Sequence, residues 1–271
     1  MARIYLTIAL LIFVAAKLPA IENHPAGTRS LALSNAVVSV PDVWATFQNQ
    51  ATLATLNSFS AGVFYESRFL TDELSHTAIT FVLPAKPGTF GLSFSQFGKG
   101  TFKEHKIGLA FSKMLSKNLA ASVQLDYFSS RFPENERAAG FATFETGIFY
   151  LLSEKVTLAA HLFNPVQAGI STAEGKQKMP AVVRFGGHYK FEDKILVACE
   201  AFQLLNGPVQ IRSGIEFLPV KNLALRFGVS GKPVNYTAGF GYQIGKLTTD
   251  IAFAYHGNLG ITPSISIQIE L

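Results

Sequence analysis

Cysteine and long apolar segments are nearly absent from this sequence. Among 271 residues there is one cysteine, Cys199, which excludes an internal disulfide and any Cys-x-x-Cys metal or redox motif. Beyond the N-terminal region no run of about 18 apolar residues occurs, so the sequence predicts no membrane-spanning helix. Charged residues make up only 15% of the chain. They are not gathered into the basic face that nucleic-acid binding requires.

The first twenty residues have the features of a secretory signal peptide. Arg3 is followed by an apolar stretch over 4–16, a break at Pro19 and small residues near the end. Cleavage after Ala16 and cleavage after Ala20 both remain open. The apolar stretch is too short to span a membrane, and no cysteine follows at its end. The sequence therefore predicts an exported protein that is not a lipoprotein.

From residue 58 to the C-terminus the sequence follows the two-residue period of β-strands. Ile107, Leu109 and Phe111, for example, alternate with small or polar residues. A soluble β-sandwich gives the same alternation, but the signal peptide, the length of the pattern and the aromatic content favour a transmembrane barrel, in which alternate residues face lipid. By this parity Cys199 faces lipid, where we expect it to act as a small hydrophobe.

The pattern predicts an all-β fold, a transmembrane antiparallel β-barrel of about 14 strands. We expect the strands at 58–67, 75–83, 88–98, 103–113, 119–129, 141–152, 155–163, 180–191, 194–203, 209–217, 222–230, 234–244, 246–256 and 261–271. Every second link is short, as periplasmic turns are, and the two longest links, 129–140 and 164–180, both fall at the other end. Such a barrel is too wide to be filled by its own side chains.

Residues 21–57 fit neither the signal nor the strand pattern, and we interpret them as a plug or hatch segment inside the lumen. The predicted organisation is therefore a signal peptide at 1–20, the plug at 21–57 and the barrel at 58–271. The plug carries the only tryptophan, Trp44. Asp42 is placed to cap a short helix over 43–47, in which Trp44 and Phe47 would share one face.

The stretch 27–54 resembles a motif of FadL-like outer-membrane barrels, in the branch that includes the PorV and PorQ proteins of Bacteroidetes. That branch shows G-A-R-x-x-A-L-G-N-A followed by D-x-W-A-x-F-x-N-P-A-x-L-A. The residues that match are Gly27, Arg29, Ala32, Leu33, Asn35, Ala36, Asp42, Trp44, Ala45, Phe47, Asn49, Ala51, Leu53 and Ala54. The departures are Thr28, Ser34, Pro41 and Gln50, which stands where the branch has proline. The motif covers about a tenth of the chain. We take Gly27, Arg29, Asn35, Asp42, Trp44, Phe47 and Asn49 as the candidate plug residues.

This resemblance implies an outer-membrane protein of a Gram-negative, Bacteroidetes-like bacterium. It implies an accessory or partner-binding subunit of a type IX secretion system or a related outer-membrane complex, and the short loops favour that role. The alternative is a FadL-like transporter that passes hydrophobic small molecules across the outer membrane. The expected partners are outer-membrane lipid, a translocon or other protein and, for a transporter, a hydrophobic ligand. We expect no nucleic acid and no cofactor.

Most of the strand charges fall on the lumen side by parity. The predicted lumen charge ladder consists of Arg184, Glu200, Arg212, Glu216 and Arg226. Its signs alternate, which favours cross-strand ion pairs that satisfy buried charges around the plug over a polar pathway. In this hypothesis Arg212 and Glu216 belong to one ladder and depend on each other.

Catalytic motifs are absent from the sequence. It contains no H-E-x-x-H, no G-x-S-x-G and no glycine-rich phosphate loop. His256 with Asn258, and His161 with Asn164, are pairs that a barrel lipase would use, but no motif marks the serine. The six histidines show no metal-ligand spacing. The sequence therefore predicts neither an enzyme nor a metal site.

Overall fold

Strands make up most of the described chain. The computed structural model describes residues 23–100, 102–131, 139–172, 175–231 and 233–271, so the predicted signal peptide lies outside the described residues. The strands are β1 Ser60–Ser67, β2 Ser75–Ala85, β3 Gly88–Phe97, β4 Lys103–Met114, β5 Leu119–Arg131, β6 Ala139–Leu151, β7 Val156–Phe163, β8 Gly169–Thr172, β9 Gly175–Lys178, β10 Val182–Phe191, β11 Ile195–Leu204, β12 Val209–Val220, β13 Leu223–Ser230, β14 Asn235–Ile244, β15 Leu247–His256 and β16 Gly260–Glu270. The helices are α1 Thr28–Ala32 and the 3-10 helices Val43–Phe47, Gln50–Thr55, Arg68–Leu70 and Asp72–Leu74.

Fourteen of these strands form one closed antiparallel barrel. Neighbours in the chain are neighbours in the barrel, and β1 pairs with β16, Ser60 lying opposite Glu270, to close the ring. The predicted fold class is confirmed, and each of the fourteen strands begins and ends within three residues of its predicted limits. No helix among the described residues is long and apolar enough to cross a membrane.

The two faces of the wall differ as the alternation predicts. On β4 and β5 the outward side chains Leu109 and Leu125 are 57% and 63% exposed, whereas their inward neighbours Ala110 and Gln124 are 1% and 0% exposed. Cys199 also lies on the outer surface. The outer surface is therefore apolar, and the polar residues of the strands face the lumen.

The links differ in length at the two ends of the barrel. Six links are tight turns, between β2 and β3, β4 and β5, β6 and β7, β10 and β11, β12 and β13, and β14 and β15. We call this the short-turn end and the opposite one the long-link end. The link from β7 to β10 folds as the hairpin β8–β9, which the sequence pattern did not predict. Its Ile170 and Met179 are buried against Phe163 and Val182, because β7 is shorter than β6 and leaves the first part of β6 without a partner on that side.

The N-terminal segment lies inside the barrel. All residues over 23–56 are buried or half-buried. Asp42 caps the 3-10 helix Val43–Phe47, its side chain accepting from the Trp44 amide at 3.3 Å, so a short helix begins at the predicted residue. Asn49 caps the next helix in the same way, accepting from the Ala51 amide at 3.1 Å. These caps satisfy backbone donors that have no helical partner.

The outward face of β4 offers a test of membrane placement. We expect Leu109→Arg, halfway along the strand, to lower the free energy of unfolding by about 2–4 kcal/mol, because arginine is costly at the bilayer midplane. Leu259→Arg, in the turn between β15 and β16, should cost about 0–1 kcal/mol. The measurement is urea unfolding in lipid vesicles. The folded fraction is read from the difference in gel mobility between folded and heated protein. Equal costs for the two variants, or recovery of the native protein in a soluble fraction without detergent, would contradict a membrane barrel.

Candidate functional site

Trp44 anchors the plug to the wall. It is 0% exposed, and its ring centroid lies 6.4 Å from that of Phe47 and 5.8 Å from that of Phe64 on β1. Two glycines make room for it. A Cβ at Gly62 would lie 2.8 Å from Trp44 Cζ2, and one at Gly27, where φ is +113°, would lie 2.7 Å from Trp44 Cβ. The tryptophan therefore needs glycine both in the wall and in the plug.

Arg29 joins the plug to the wall through a buried ion network. Its Nε and Nη2 donate to the two carboxylate oxygens of Glu216 at 2.8 and 2.7 Å, and its Nη1 lies 3.3 Å from Asp42 Oδ2. Arg226 donates to Glu216 and to Asp250, both at 2.6 Å. Burial by itself would lower the pKa of Arg29, but the Glu216 and Asp42 carboxylates outweigh burial and raise that pKa above its ordinary value. Arg29 is therefore a permanent cation held by two acids.

A second group of charges binds the plug backbone. Arg184 donates to both oxygens of Glu200, at 2.6 and 2.9 Å. The same guanidinium donates to Gln48 Oε1 at 2.8 Å and to the Asn35 carbonyl at 3.1 Å. Glu200 in turn accepts from the Val38 amide at 2.9 Å. Wall charges thus satisfy polar groups that the plug buries, as lumen charges around a plug are expected to do.

Arg212 does not pair with Glu216, contrary to the expectation from the sequence. Its guanidinium lies 3.9 Å from Glu200 Oε1 and 3.7 Å from the ring centroid of Phe202, over which it stacks. Four residues along one strand separate Arg212 from Glu216 by roughly 13 Å, and Arg29 and Arg226 take up Glu216. The predicted ladder is therefore two groups, one on Glu200 and one on Glu216.

A third group contains residues that the sequence pattern did not bring together. Lys106 is bonded to Glu145 and lies 3.5 Å from Asp126, while His161 Nε2 lies 2.9 Å from the second Glu145 oxygen. Gln50 of the plug donates to the same oxygen at 2.8 Å. All four wall residues face the lumen by parity and lie on the consecutive strands β4 to β7, but parity does not give the register that brings them together.

Asn49 fixes the centre of the plug. Its Nδ2 donates to the Val38 carbonyl at 2.7 Å and to the Ile148 carbonyl in the wall at 3.3 Å. A Cβ on the wall residue Gly147 would collide with Asn49 Oδ1. Asn35, also matched to the motif, has φ of +58°, a conformation that asparagine tolerates better than most residues. Both asparagines therefore have structural roles in this chain.

The N-terminal end of the plug reaches the long-link end of the barrel. His24 stacks on Phe97 with ring centroids 3.8 Å apart. Burial lowers the pKa of His24 well below its ordinary value, and nearby Arg68 and His76 lower it further. The ring is therefore neutral, and its Nε2 donates to Glu104 at 2.9 Å.

A cavity of about 290 Å³ lies between the plug and the wall at the long-link end. We call it the outer cavity. Its apolar lining is Phe47, Phe163, Met179, Pro180, Val182, Phe202 and Leu204, and its polar lining is mainly Asn23, His24, Gln48, Arg68, His161, Arg184, Gln210 and Arg212. It therefore combines an apolar wall with a few convergent polar groups, the usual make-up of small-molecule sites.

Two further cavities lie beside β14, β15 and β16. One of about 400 Å³ is lined by Gly27 and Leu31 and by long-link residues such as His256. The other, of about 180 Å³, is lined by Arg29 and by short-turn residues such as Lys246. Because neighbouring residues of α1 line both cavities, this helix and the Arg29 network separate the two ends of the lumen.

The histidine–asparagine pairs considered for catalysis have local structural roles. His256 Nδ1 accepts from the amides of Asn258 and Leu259 at 3.3 and 3.2 Å. Asn164 Oδ1 accepts from Thr143 at 2.7 Å, and His161 belongs to the Glu145 group described above. Within the described residues no set of three or more His, Cys, Asp or Glu side chains is placed to hold a metal ion.

Several solved structures share this architecture. The CymD monoaromatic hydrocarbon channel aligns with a TM-score of 0.68 and 14% identity over 91% of this chain and 97% of that chain. The toluene transporter TbuX of Ralstonia pickettii aligns with a TM-score of 0.68 and 13% identity over 90% of this chain and 98% of that one. A FadL homologue of Pseudomonas aeruginosa aligns with a TM-score of 0.65 and 13% identity over 91% and 99%. The chain has a FadL-like barrel fold.

At these identities the likeness shows the fold alone. No protein-family model matches the sequence, and no curated protein matches it. The FadL-like part of the resemblance is thus supported in architecture. The narrower resemblance to the PorV and PorQ branch rests on the motif at 27–54.

The Arg29 network predicts a contrast between two lumen arginines. We expect Arg29→Leu to destabilise the docked plug by about 3 kcal/mol, because it leaves Glu216 and Asp42 buried with fewer partners. Arg212→Leu should cost less than about 1 kcal/mol, because Glu200 keeps its two bonds from Arg184. The measurements are thermal unfolding in detergent and the rate at which a protease cuts the segment 23–57. Equal effects of the two substitutions would show that the network does not hold the plug.

Proposed function

We propose that this chain is an outer-membrane barrel that passes small hydrophobic molecules, with the short-turn end facing the periplasm. The observation that carries the proposal is the outer cavity, an apolar chamber that faces the long-link end and has the plug as its floor. The FadL-like neighbours support it, since they include a monoaromatic hydrocarbon channel and a toluene transporter. Short turns on the periplasmic side are the rule in such barrels.

The charges of the outer cavity favour a ligand with an acidic group. Arg184 and Arg212 both face the single carboxylate of Glu200, and Arg184 alone occupies both of its oxygens. Arg212 is left with a 3.9 Å ion pair and the face of Phe202. Two arginines therefore share one carboxylate, and one positive charge remains without an acid of its own next to an apolar wall. This arrangement suits a compact apolar molecule that carries a carboxylate.

Passage to the periplasm requires the plug to shift. Helix α1 separates the cavities at the two ends, and the Arg29 network together with the Trp44 cluster holds the plug against the wall. Fourteen strands close the barrel independently of the plug, so the plug is able to loosen while the wall stays intact. Uptake is then limited by the interactions that dock the plug.

Ligand binding tests the proposed chemistry. With benzoate, toluene and benzylamine as probes of one ring size, we expect benzoate to bind most tightly and benzylamine least. Arg212→Gln should weaken benzoate about tenfold, the loss expected for a hydrogen bond to a charged group, and leave toluene unchanged. Arg131→Gln, which removes a positive charge from an exposed position outside the cavity, is the matched control. The measurement is calorimetric titration in detergent. If neither benzoate nor toluene binds, the proposed site is contradicted.

Plug loosening tests passage itself. Trp44→Ala removes a fully buried aromatic, which costs about 3–5 kcal/mol, so we expect faster uptake of labelled benzoate by cells that produce the variant. Trp44→Phe keeps a ring in the pocket and should stay close to the native rate. Folded barrel is verified in each case by its gel mobility before heating. Unchanged uptake in Trp44→Ala would favour a role without passage.

A second candidate is the accessory role in type IX secretion or a related complex, which the motif at 27–54 favours. In that role the plug stays docked and the barrel binds a translocon or an exported protein. Affinity isolation from the native membrane in mild detergent tests it. A stoichiometric secretion component that co-purifies, together with unchanged uptake in Trp44→Ala, would support this candidate over the transporter.

A further inference from the structure

A ring of lysines surrounds the short-turn end of the barrel. Each of the six short turns, or the strand residue beside it, carries at least one lysine, and all of these lysines are exposed. They are Lys86, Lys113, Lys117, Lys155, Lys190, Lys194, Lys221 and Lys246. We call this set the lysine ring. The outer cavity and the contacts that dock the plug use none of its members, and Lys246 also lines the cavity of about 180 Å³ at this end.

The lysine ring is not neutralised by the chain itself. Within the described residues, no member lies within 4.0 Å of a carboxylate, since the only lysines in ion pairs there are Lys99 and Lys106. The exposed acidic side chains at this end are Glu154, Glu192, Asp193 and Glu270, so eight exposed lysines face four exposed carboxylates. At the long-link end, by contrast, Lys99 pairs with Asp72 at 3.3 Å and Arg68 pairs with Glu66 at 2.7 Å. Among the described residues, the exposed side chains of the short-turn end therefore carry an excess of positive charge that no ion pair of the chain neutralises.

The position of the lysine ring relative to the membrane surface follows from the turns that carry it. Only two residues separate β2 from β3, and only two separate β14 from β15, so these turns cannot extend far beyond the membrane. Large apolar side chains stand next to the lysines and are strongly exposed, namely Leu83, Leu115, Leu152, Val220 and Ile244, at 53%, 61%, 54%, 60% and 66%. Exposed apolar residues at this height mark the edge of the hydrocarbon layer, and lysine stems reach from that edge toward the headgroups.

We propose that the lysine ring binds the phosphate groups of phospholipids in the periplasmic leaflet and prefers anionic lipid. The inference uses the membrane placement proposed above but does not depend on what passes through the lumen. A lysine near an anionic membrane surface contributes about 1 kcal/mol, which corresponds to about fivefold enrichment of an anionic lipid at that position. Lipid is favoured over a soluble partner because the turns are too short to present a projecting surface.

The test measures lipid selectivity directly. The native protein is placed in phosphatidylcholine vesicles that contain traces of spin-labelled phosphatidylglycerol or spin-labelled phosphatidylcholine, and the motionally restricted fraction of each label is compared. We expect the native barrel to retain phosphatidylglycerol about two- to fivefold over phosphatidylcholine. The variant Lys86→Gln, Lys117→Gln, Lys155→Gln, Lys221→Gln, Lys246→Gln keeps three lysines of the ring and should lower this ratio by at least half of its excess over one. The control variant Lys99→Gln, Lys103→Gln, Lys178→Gln changes the long-link end and should keep the native ratio.

Several outcomes would overturn the proposal. A native ratio of one, or an unchanged ratio in the five-lysine variant, would show that the ring does not bind anionic lipid. Co-sedimentation with purified peptidoglycan that depends on the same lysines, with a lipid ratio of one, would assign the ring to the cell wall instead. Failure of the native barrel to insert, seen as the absence of a heat-dependent mobility shift, would refute the membrane placement and the lipid-binding role of the ring together.

Discussion

Backbone hydrogen bonding in lipid is the constraint on which the rest of this structure depends. A strand that faces hydrocarbon has no water to satisfy its N–H and C=O groups, so every strand needs two neighbours and the sheet must close. Closure over fourteen strands leaves a lumen that side chains of the wall do not fill. The chain fills it with its own N-terminal segment, and the chemistry of the lumen follows from the polar groups that this segment buries.

Charge matching across the boundary between plug and wall is the main consequence. Buried charges destabilise a protein unless each has a partner of opposite sign and its remaining hydrogen bonds are made. Here Glu216 meets Arg29 from the plug, and Arg184 meets the plug carbonyl of Asn35. Among the lumen arginines that the structure describes, Arg212 alone has no carboxylate oxygen closer than 3.9 Å, and it lies beside the apolar lining of the outer cavity. The lumen arginine with the most distant acid is thus the one to which an acidic ligand has most to contribute.

The strands and their ends follow from the sequence alone, because alternation and tight turns are local properties. The helix cap at Asp42 and the shared position of Trp44 and Phe47 are local too, and they also follow. The ion pairs do not, since the pairing of Arg212 with Glu200 depends on the register between β11 and β12, which strand parity does not give. The hairpin β8–β9 escaped prediction for a similar reason. It forms where a short β7 leaves β6 without a partner, and strand length is decided by the whole barrel.

The seam between β1 and β16 has a consequence for biogenesis. Ser60 lies directly opposite Glu270, so the ring is complete only when the first strand of the barrel pairs with the last. The plug precedes β1 in the chain, yet Glu216 and Glu200, which bind it, lie on late strands. The segment that is synthesised first therefore gains these contacts only when most of the wall has been made.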